Sequence, residues 1–287
     1  MPVQTSEIEL TLESTQKSLR TKDWNIQYYE AGSGQPLILL HGSGPGATGW
    51  SNFNPNIGPL SERYHVIAVD MPGWGGSDPT TIEAADHVET LRQVMDELGI
   101  EKAALIGNSM GGVTSIRFAA LYPERVTHLI TMGSGSVPIP TLFGPGGASE
   151  GMKILFKAYR DPSIENMRQL ASIMTFDPTF ASEELAQQRA DAAARWPEHL
   201  NNFVSCIPQG GPIRRWPTME QIASITAPTM VIHGKNDRVV HFEHSLRIVA
   251  AIENSRLILL NRCGHWAQLE HAAEFNHLVD HFISSNT

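Results

Sequence analysis

Ser109 is flanked by glycines two residues away on each side, in the run Gly107-Asn108-Ser109-Met110-Gly111. The apolar residues 103–106 before it read as a short buried strand, and residues 113–121 after it read as a helix. A serine on so sharp a strand-to-helix turn has a strained backbone, and the turn closes only if its neighbours are small. Such a turn holds the hydroxyl out at the strand's carboxyl end and aims the helix's first N–H groups at whatever reacts there. A free serine hydroxyl is a poor nucleophile, so this chemistry needs a base. Two later turns offer partners. Residues 229–233 read as a strand leading into Gly234-Lys235-Asn236-Asp237, and residues 256–260 as a strand leading into Asn261-Arg262-Cys263-Gly264-His265. His265 would take a proton from Ser109 or from a water, while Asp237 would fix the imidazole tautomer and stabilise the imidazolium. All three would stand just past strand ends, which share one edge of a parallel sheet.

The pattern along the chain predicts such a sheet. Residues 24–29 alternate apolar and polar side chains, as in a half-exposed antiparallel strand. Residues 36–40 and 64–69 are short continuous apolar runs, suited to strands buried on both faces. Residues 86–98 have helical spacing and Gly99 as a stop, and residues 126–132 read as another strand. The alternation then breaks in a linker containing Pro138, Pro140, Gly144, Pro145, Gly146 and Gly147. From 151 to about 203 the periodicity is helical, and the cluster Pro208-Gln209-Gly210-Gly211-Pro212 closes that block. Strands at 229–233 and 257–260 and helices near 242–252 and 272–283 follow. The expectation is an α/β core of residues 1–137 and 213–287, its mainly parallel sheet covered by helices on both faces, with residues 138–212 inserted as a helical lid.

Composition narrows the partners. The 287 residues are 41% hydrophobic, enough for one large domain with an insertion. A net charge of -9 and a pI near 5.7 argue against nucleic acid and anionic membrane surfaces. No apolar run approaches the ~20 residues of a membrane helix. The first residues have neither the basic start nor the apolar core of a secretory signal, which leads us to expect a cytoplasmic protein. Cys206 and Cys263 are too few for a disulfide framework and read as free thiols. The spacings His241-x-x-His244 and His277-x-x-x-His281 lack the acid or third ligand of a metal site. His41-Gly42-Ser43-Gly44-Pro45-Gly46 lacks the Gly-Lys-Ser/Thr ending of a phosphate loop, and residues 72–77 read as a structural turn after Asp70.

Four longer motifs carry a resemblance. These are His41 through Asn52 (HGSGPGATGWSN), Gly107 through Gly112 (GNSMGG), Gly234 through Val240 (GKNDRVV), and Cys263 through Gln268 (CGHWAQ). With Glu150-Gly151-Met152-Lys153 they make the chain resemble the α/β-hydrolase family and, within it, the meta-cleavage product hydrolases, which cut carbon–carbon bonds in aromatic catabolism. The resemblance runs through nearly the whole chain. It implies an α/β-hydrolase fold with a mostly parallel eight-stranded sheet and an inserted lid. It implies an oxyanion hole formed by the backbone N–H groups of Ser43 and Met110. The implied substrate is of the 2-hydroxy-6-oxo-hexa-2,4-dienoate type, hydrolysed to 2-hydroxypenta-2,4-dienoate, or a derivative, and a carboxylic acid. Arg189 matches the family's carboxylate-binding arginine, whose fork of donors suits a planar anion. Asn52 and Asn108 match polar residues of the pocket, Trp266 matches the tryptophan beside the histidine, and Trp216 would wall the site from the lid side. No metal or organic cofactor is implied, and a homo-oligomer is.

Three positions depart from the family pattern. Met132-Gly133-Ser134-Gly135-Ser136 stands where many relatives have Gly-Pro-Gly-Gly, Met174 where phenylalanine is common, and His241 where proline is common. None touches the expected triad; they put the C6 substituent of the substrate in doubt. A serine esterase or lactonase on the same fold, with Arg189 incidental, is the alternative reading. A catalytically idle binding protein is a third, opposed by the filling of every triad position.

Overall fold

The apolar runs form the centre of an eight-stranded sheet in the computed structural model, which describes residues 10–81, 83–137, 140–144, 146–207 and 215–285. In chain order the strands are β1 (Gln16–Arg20), β2 (Asn25–Ala31), β3 (Gln35–Leu40), β4 (Tyr64–Val69), β5 (Ala103–Asn108), β6 (Val126–Met132), β7 (Thr229–Gly234) and β8 (Ser255–Leu260). Across the sheet they run β1-β2-β4-β3-β5-β6-β7-β8. The β1–β2 and β2–β4 pairs are antiparallel, and every pair from β4 through β8 is parallel. Successive residues of one strand enter different cores: Ile38 and Leu40 join one apolar cluster, Leu37 and Leu39 the other. Burial on both faces is why the central strands read as unbroken apolar runs rather than alternating ones.

The helices are α1 (Leu12–Thr15), α2 (Gly49–Ser61), α3 (His87–Glu97), α4 (Met110–Leu121), α5 (Glu150–Arg160), α6 (Ile164–Met174), α7 (Glu183–Ala194), α8 (Pro197–Cys206), α9 (Met219–Ala223), α10 (Glu243–Ala251), α11 (Ala267–Glu270) and α12 (Ala272–Ser285). Asp86 caps α3 by accepting the Glu89 N–H, and Gly99 follows that helix at φ 67°, as its spacing predicts. The block α5–α8 lies between β6 and β7 in the chain. Pro138, Pro145 and the closing cluster 208–212, which the sequence marks as linker, lie outside the described residues.

Several elements were not anticipated, among them the short helices α9 and α11. Strand β1 and the short α1 precede the first strand recognised in the sequence. Helix α2 was not singled out in the sequence and contains Pro55 and Pro59, a residue type that disfavours a helix interior. It forms because Thr48 and Ser51 make a reciprocal capping box and because tertiary contacts replace what proline removes. Pro59 has no N–H to give the Pro55 carbonyl, and the Asn276 side chain of α12 donates to that carbonyl at 3.2 Å instead. Gly49 lets α2 approach β4, since a Cβ there would sit 2.8 Å from the Ala68 backbone.

Candidate active site

Ser109 lies between β5 and α4 at φ 52° and ψ -113°, and only Arg262 shares a positive φ among the described non-glycine residues. Such a conformation costs about 1–3 kcal/mol and persists only where the surroundings impose it. Here the Ser109 N–H donates to the Met132 carbonyl of β6 at 2.9 Å, and its carbonyl accepts the Val113 N–H at 3.0 Å. The flanking glycines are required by contact. A Cβ on Gly107 would collide with the Gly111 carbonyl, and one on Gly111 with the Leu40 carbonyl of β3. The turn therefore closes on itself and against β3 only with these residues bare.

Two strands away, β7 turns into Asp237, and β8 is followed by His265. His265 Nδ1 lies 2.7 Å from Asp237 Oδ2, with both side chains buried. Asp237 Oδ1 accepts the backbone N–H groups of Val239 at 2.7 Å and Val240 at 3.0 Å. Burial alone would push this carboxyl up, but His265 and His233 outweigh it and hold Asp237 well below the ordinary aspartate value. Since an ionised carboxylate only accepts, Nδ1 carries the proton and Nε2 is the nitrogen free to exchange one. The imidazole packs against Gly133 at φ 53°, where a Cβ would stand 2.8 Å from Nδ1. Contrary to the expectation from sequence, the departure from the family pattern at residues 132–136 therefore does touch the triad, through this contact and the Met132 carbonyl that accepts the Ser109 N–H. Backbone bonds anchor the loop: His265 N–H donates to the Met174 carbonyl at 2.7 Å, and Asn108 Nδ2 donates to the His265 carbonyl at 3.3 Å.

A cavity of about 280 Å³ opens where these strand ends meet α5, α6 and α7. Ser43, Asn52, Asn108, Ser109, Arg189, Trp216, His265 and Trp266 all line it. Asp237 stands behind His265, and Met110 contributes the first turn of α4, whose N–H groups have no intrahelical partner. The sequence thus identified residues that the fold brings together.

Arg189 is the most exposed to consequence of these, though it is only 3% exposed to solvent. Its guanidinium carbon lies 4.3 Å over the Trp266 ring, and Nε and Nη1 have no hydrogen-bond partner. Burial pushes it down to about 10, with Tyr159 opposing. A buried cation with unsatisfied donors in a cavity is arranged for an anion.

His41 and Tyr159, whose roles were not foreseen, shape the loop after β3. His41 Nδ1–H donates to the Gly42 carbonyl at 2.9 Å, and its Nε2 accepts the Met71 N–H at 3.0 Å. Burial pushes His41 down to about 4, so the ring stays neutral and this tautomer is fixed. In a trans peptide the N–H points away from its carbonyl, so holding the Gly42 oxygen sets the direction of the Ser43 N–H. Tyr159 O–H in turn donates to the Ser43 carbonyl at 3.2 Å. Neither signal stands out in sequence, because the partners are distant along the chain.

His241 and His244 line the same cavity rather than pairing as metal ligands. His244 Nδ1 lies 3.1 Å from Ser136 Oγ, and His241 Nδ1 lies 3.0 Å from a Glu243 carboxylate oxygen. His277 and His281 are exposed on α12, away from the site. Among the described residues no group of three His, Cys, Asp or Glu side chains is gathered to hold a metal, and no helix is long and apolar enough to cross a membrane.

Residues 35–272 match the alpha/beta hydrolase fold family. A 2-hydroxy-6-oxo-6-phenylhexa-2,4-dienoate hydrolase from Comamonas testosteroni is 44% identical over 265 residues, 91% of this chain and 92% of that one. A 2-hydroxy-6-oxononadienedioate/2-hydroxy-6-oxononatrienedioate hydrolase from Cupriavidus pinatubonensis is 40% identical over 286 residues, 96% and 98% of the two chains. Among solved structures, the meta-cleavage product hydrolase CumD from Pseudomonas fluorescens IP01, a serine-to-alanine mutant complexed with acetates, is similar with a TM-score of 0.86. It is 34% identical, over 96% of this chain and 100% of that one. Fold, strand-end geometry and relatives agree: the chain belongs to the α/β-hydrolase family and, within it, to the meta-cleavage product hydrolases.

Proposed function

We propose that the protein hydrolyses the C–C bond next to the 6-oxo group of 2-hydroxy-6-oxo-hexa-2,4-dienoate-type ring-cleavage products. The products are 2-hydroxypenta-2,4-dienoate, or a derivative, and a carboxylic acid. The observation that carries this reading is the buried Arg189, its Nε and Nη1 without hydrogen-bond partners, in the cavity that Ser109 and His265 also line. An ester needs no such cation; a dienoate carboxylate does.

In this reading Arg189 holds the substrate carboxylate, and Asn52 and Asn108 bound the polar part of the pocket. His265 Nε2 moves the enol proton to carbon, giving a keto tautomer whose 2-oxo group can accept the electrons of the breaking bond. Water, or the Ser109 hydroxyl followed by water, then adds to the C6 carbonyl with His265 taking the proton. The oxyanion is held by the N–H groups of Ser43 and Met110, and each such donor is worth roughly 10²–10³ in rate. When the C5–C6 bond breaks, its electrons pass into the dienolate and His265 returns the proton. Residues 138–212 act as the lid over the core halves 1–137 and 213–287, with Arg189, Met174 and Trp266 closing the site to water.

Histidines aside, Arg189 is the one ionisable side chain among the described residues lining the cavity; Met152, Leu155, Met174, Val239, Val240 and Trp216 are apolar. Burying a second carboxylate without a cation is costly. That favours an uncharged alkyl or aryl C6 substituent over a carboxylate-bearing one. The test is loss of visible absorbance from dienoates carrying methyl, phenyl or carboxyethyl groups at C6, beside turnover of a simple aryl ester. Ester turnover with every dienoate inert would replace this reading with that of a serine esterase.

A further inference from the structure

We infer that His233, locked in one tautomer by the acceptors around its Nε2, is a positioning residue that acts on His265 through Asp237. His233 is fully buried on β7 and does not line the cavity. Its Nε2 lies 2.9 Å from the Val240 carbonyl and 3.2 Å from Asp237 Oδ2. Both neighbours only accept, so Nε2 carries a proton. In the neutral ring Nδ1 then holds the lone pair and accepts the Ser245 O–H, with the two atoms 2.6 Å apart. Ser245 is itself fully buried on α10. The Val240 carbonyl and Asp237 thereby set the proton of one imidazole, as Asp237 sets that of the other, and the Ser245 hydroxyl on α10 donates to the nitrogen left bare.

The two oxygens of Asp237 are served differently. Oδ1 is held by two backbone N–H groups, those of Val239 and Val240. Oδ2 is shared between His265 Nδ1 at 2.7 Å and His233 Nε2 at 3.2 Å. The N–H of His233 points toward the Val240 carbonyl, so it braces the turn whose amides hold Oδ1. It also brings the positive end of its N–H dipole beside Oδ2. Part of the charge on that oxygen is therefore balanced before His265 becomes an imidazolium. Removing the donor takes that partial balance from Oδ2, so the imidazolium is held more strongly and the proton is released at higher pH.

Other titratable and charged groups border this array. His244 on α10 is close enough to His233 for their charges to interact. The Cys263 thiol is pushed up by burial first, with Glu270, Asp237 and Glu274 adding. His241 and Glu243 form a neighbouring pair. The Arg238 guanidinium donates to the carbonyls of Ser172 and Thr175.

This role rests on the reading above of His265 as the group that moves protons, but an NMR titration of the His265 imidazole needs no substrate and reads it even if the dienoate assignment fails. His233→Phe should move the His265 midpoint upward by roughly half a pH unit. The acid limb of kcat/KM for whichever substrate turns over should move with it, with KM near the wild-type value. Ser245→Ala should shift both in the same direction by less. His233→Gln retains an N–H donor near the Nε2 position and should track the wild type. Titrations of His233→Phe and Ser245→Ala that superimpose on the wild type, or that shift downward, would overturn the inference. If His233→Phe does not fold, the Ser245→Ala titration decides the question alone.

Discussion

Asp237 and Arg189 are both buried charges in one site, and they are treated in opposite ways. Asp237 has every oxygen engaged, by two backbone N–H groups and two imidazoles. Arg189 has Nε and Nη1 without partners and only the Trp266 ring beneath it. A saturated ion is preorganised and can stabilise charge that appears during a reaction without rearranging. An unsaturated one is costly until something arrives. On the proposed reading, the contrast separates machinery that acts on the substrate's reacting atoms from machinery that waits to hold its anion.

The contrast breaks most decisively at the saturated side. Ser109→Ala or His265→Ala should lower dienoate turnover by roughly 10⁴-fold or more while leaving the circular dichroism spectrum native. Near-wild-type turnover by either variant would remove that residue from the chemistry. At the unsaturated side, Arg189→Met should cost dienoate kcat/KM roughly 10²-fold or more. It should spare any ester turnover and leave the thermal midpoint unchanged or higher, because a buried unpaired cation is removed. A marked fall in that midpoint would mean that Arg189 serves stability rather than substrate.

Smaller effects sharpen the distinction. Gly133→Ala puts a methyl group 2.8 Å from His265 Nδ1 at a positive φ, and should lower kcat about tenfold and stability by about 1–2 kcal/mol. Unchanged kcat in a folded variant would show that the imidazole is not held by this contact. The last effect is in pH. Asp237 is held below its unfolded-state value, so its stabilising contribution is present above about pH 4 and lost as the pH falls through its lower folded value. Urea titrations at pH 3 and pH 6 should show less acid sensitivity in Asp237→Asn than in the wild type. Equal slopes would deny the carboxylate this stabilising role.

How far the chain could be read ahead of its structure follows from the range of the forces involved. Strands β3 to β8 and the turns after them were legible because buried strands demand continuous apolar residues and strained turns demand glycine. Parallel pairing then brings Ser109, Asp237 and His265 to one edge without further information. Helix α2 was not legible, since the carbonyl that Pro59 leaves without a donor is served by an asparagine more than 200 residues away. His233 and His41 were equally silent, because a buried histidine's role lies in which acceptor each nitrogen meets.

The sequence alone determined the family, the layered α/β architecture and the residues proposed to react, because these depend on local periodicity and on residue types few other arrangements need. Only the tertiary structure decided which charges are paired. It left Arg189 open, divided Asp237 between two imidazoles, and fixed His41 and His233 each in a single tautomer. Hydrogen bonding and desolvation depend on distances of a few tenths of an ångström between residues far apart in the chain, and no pattern of neighbours encodes those distances.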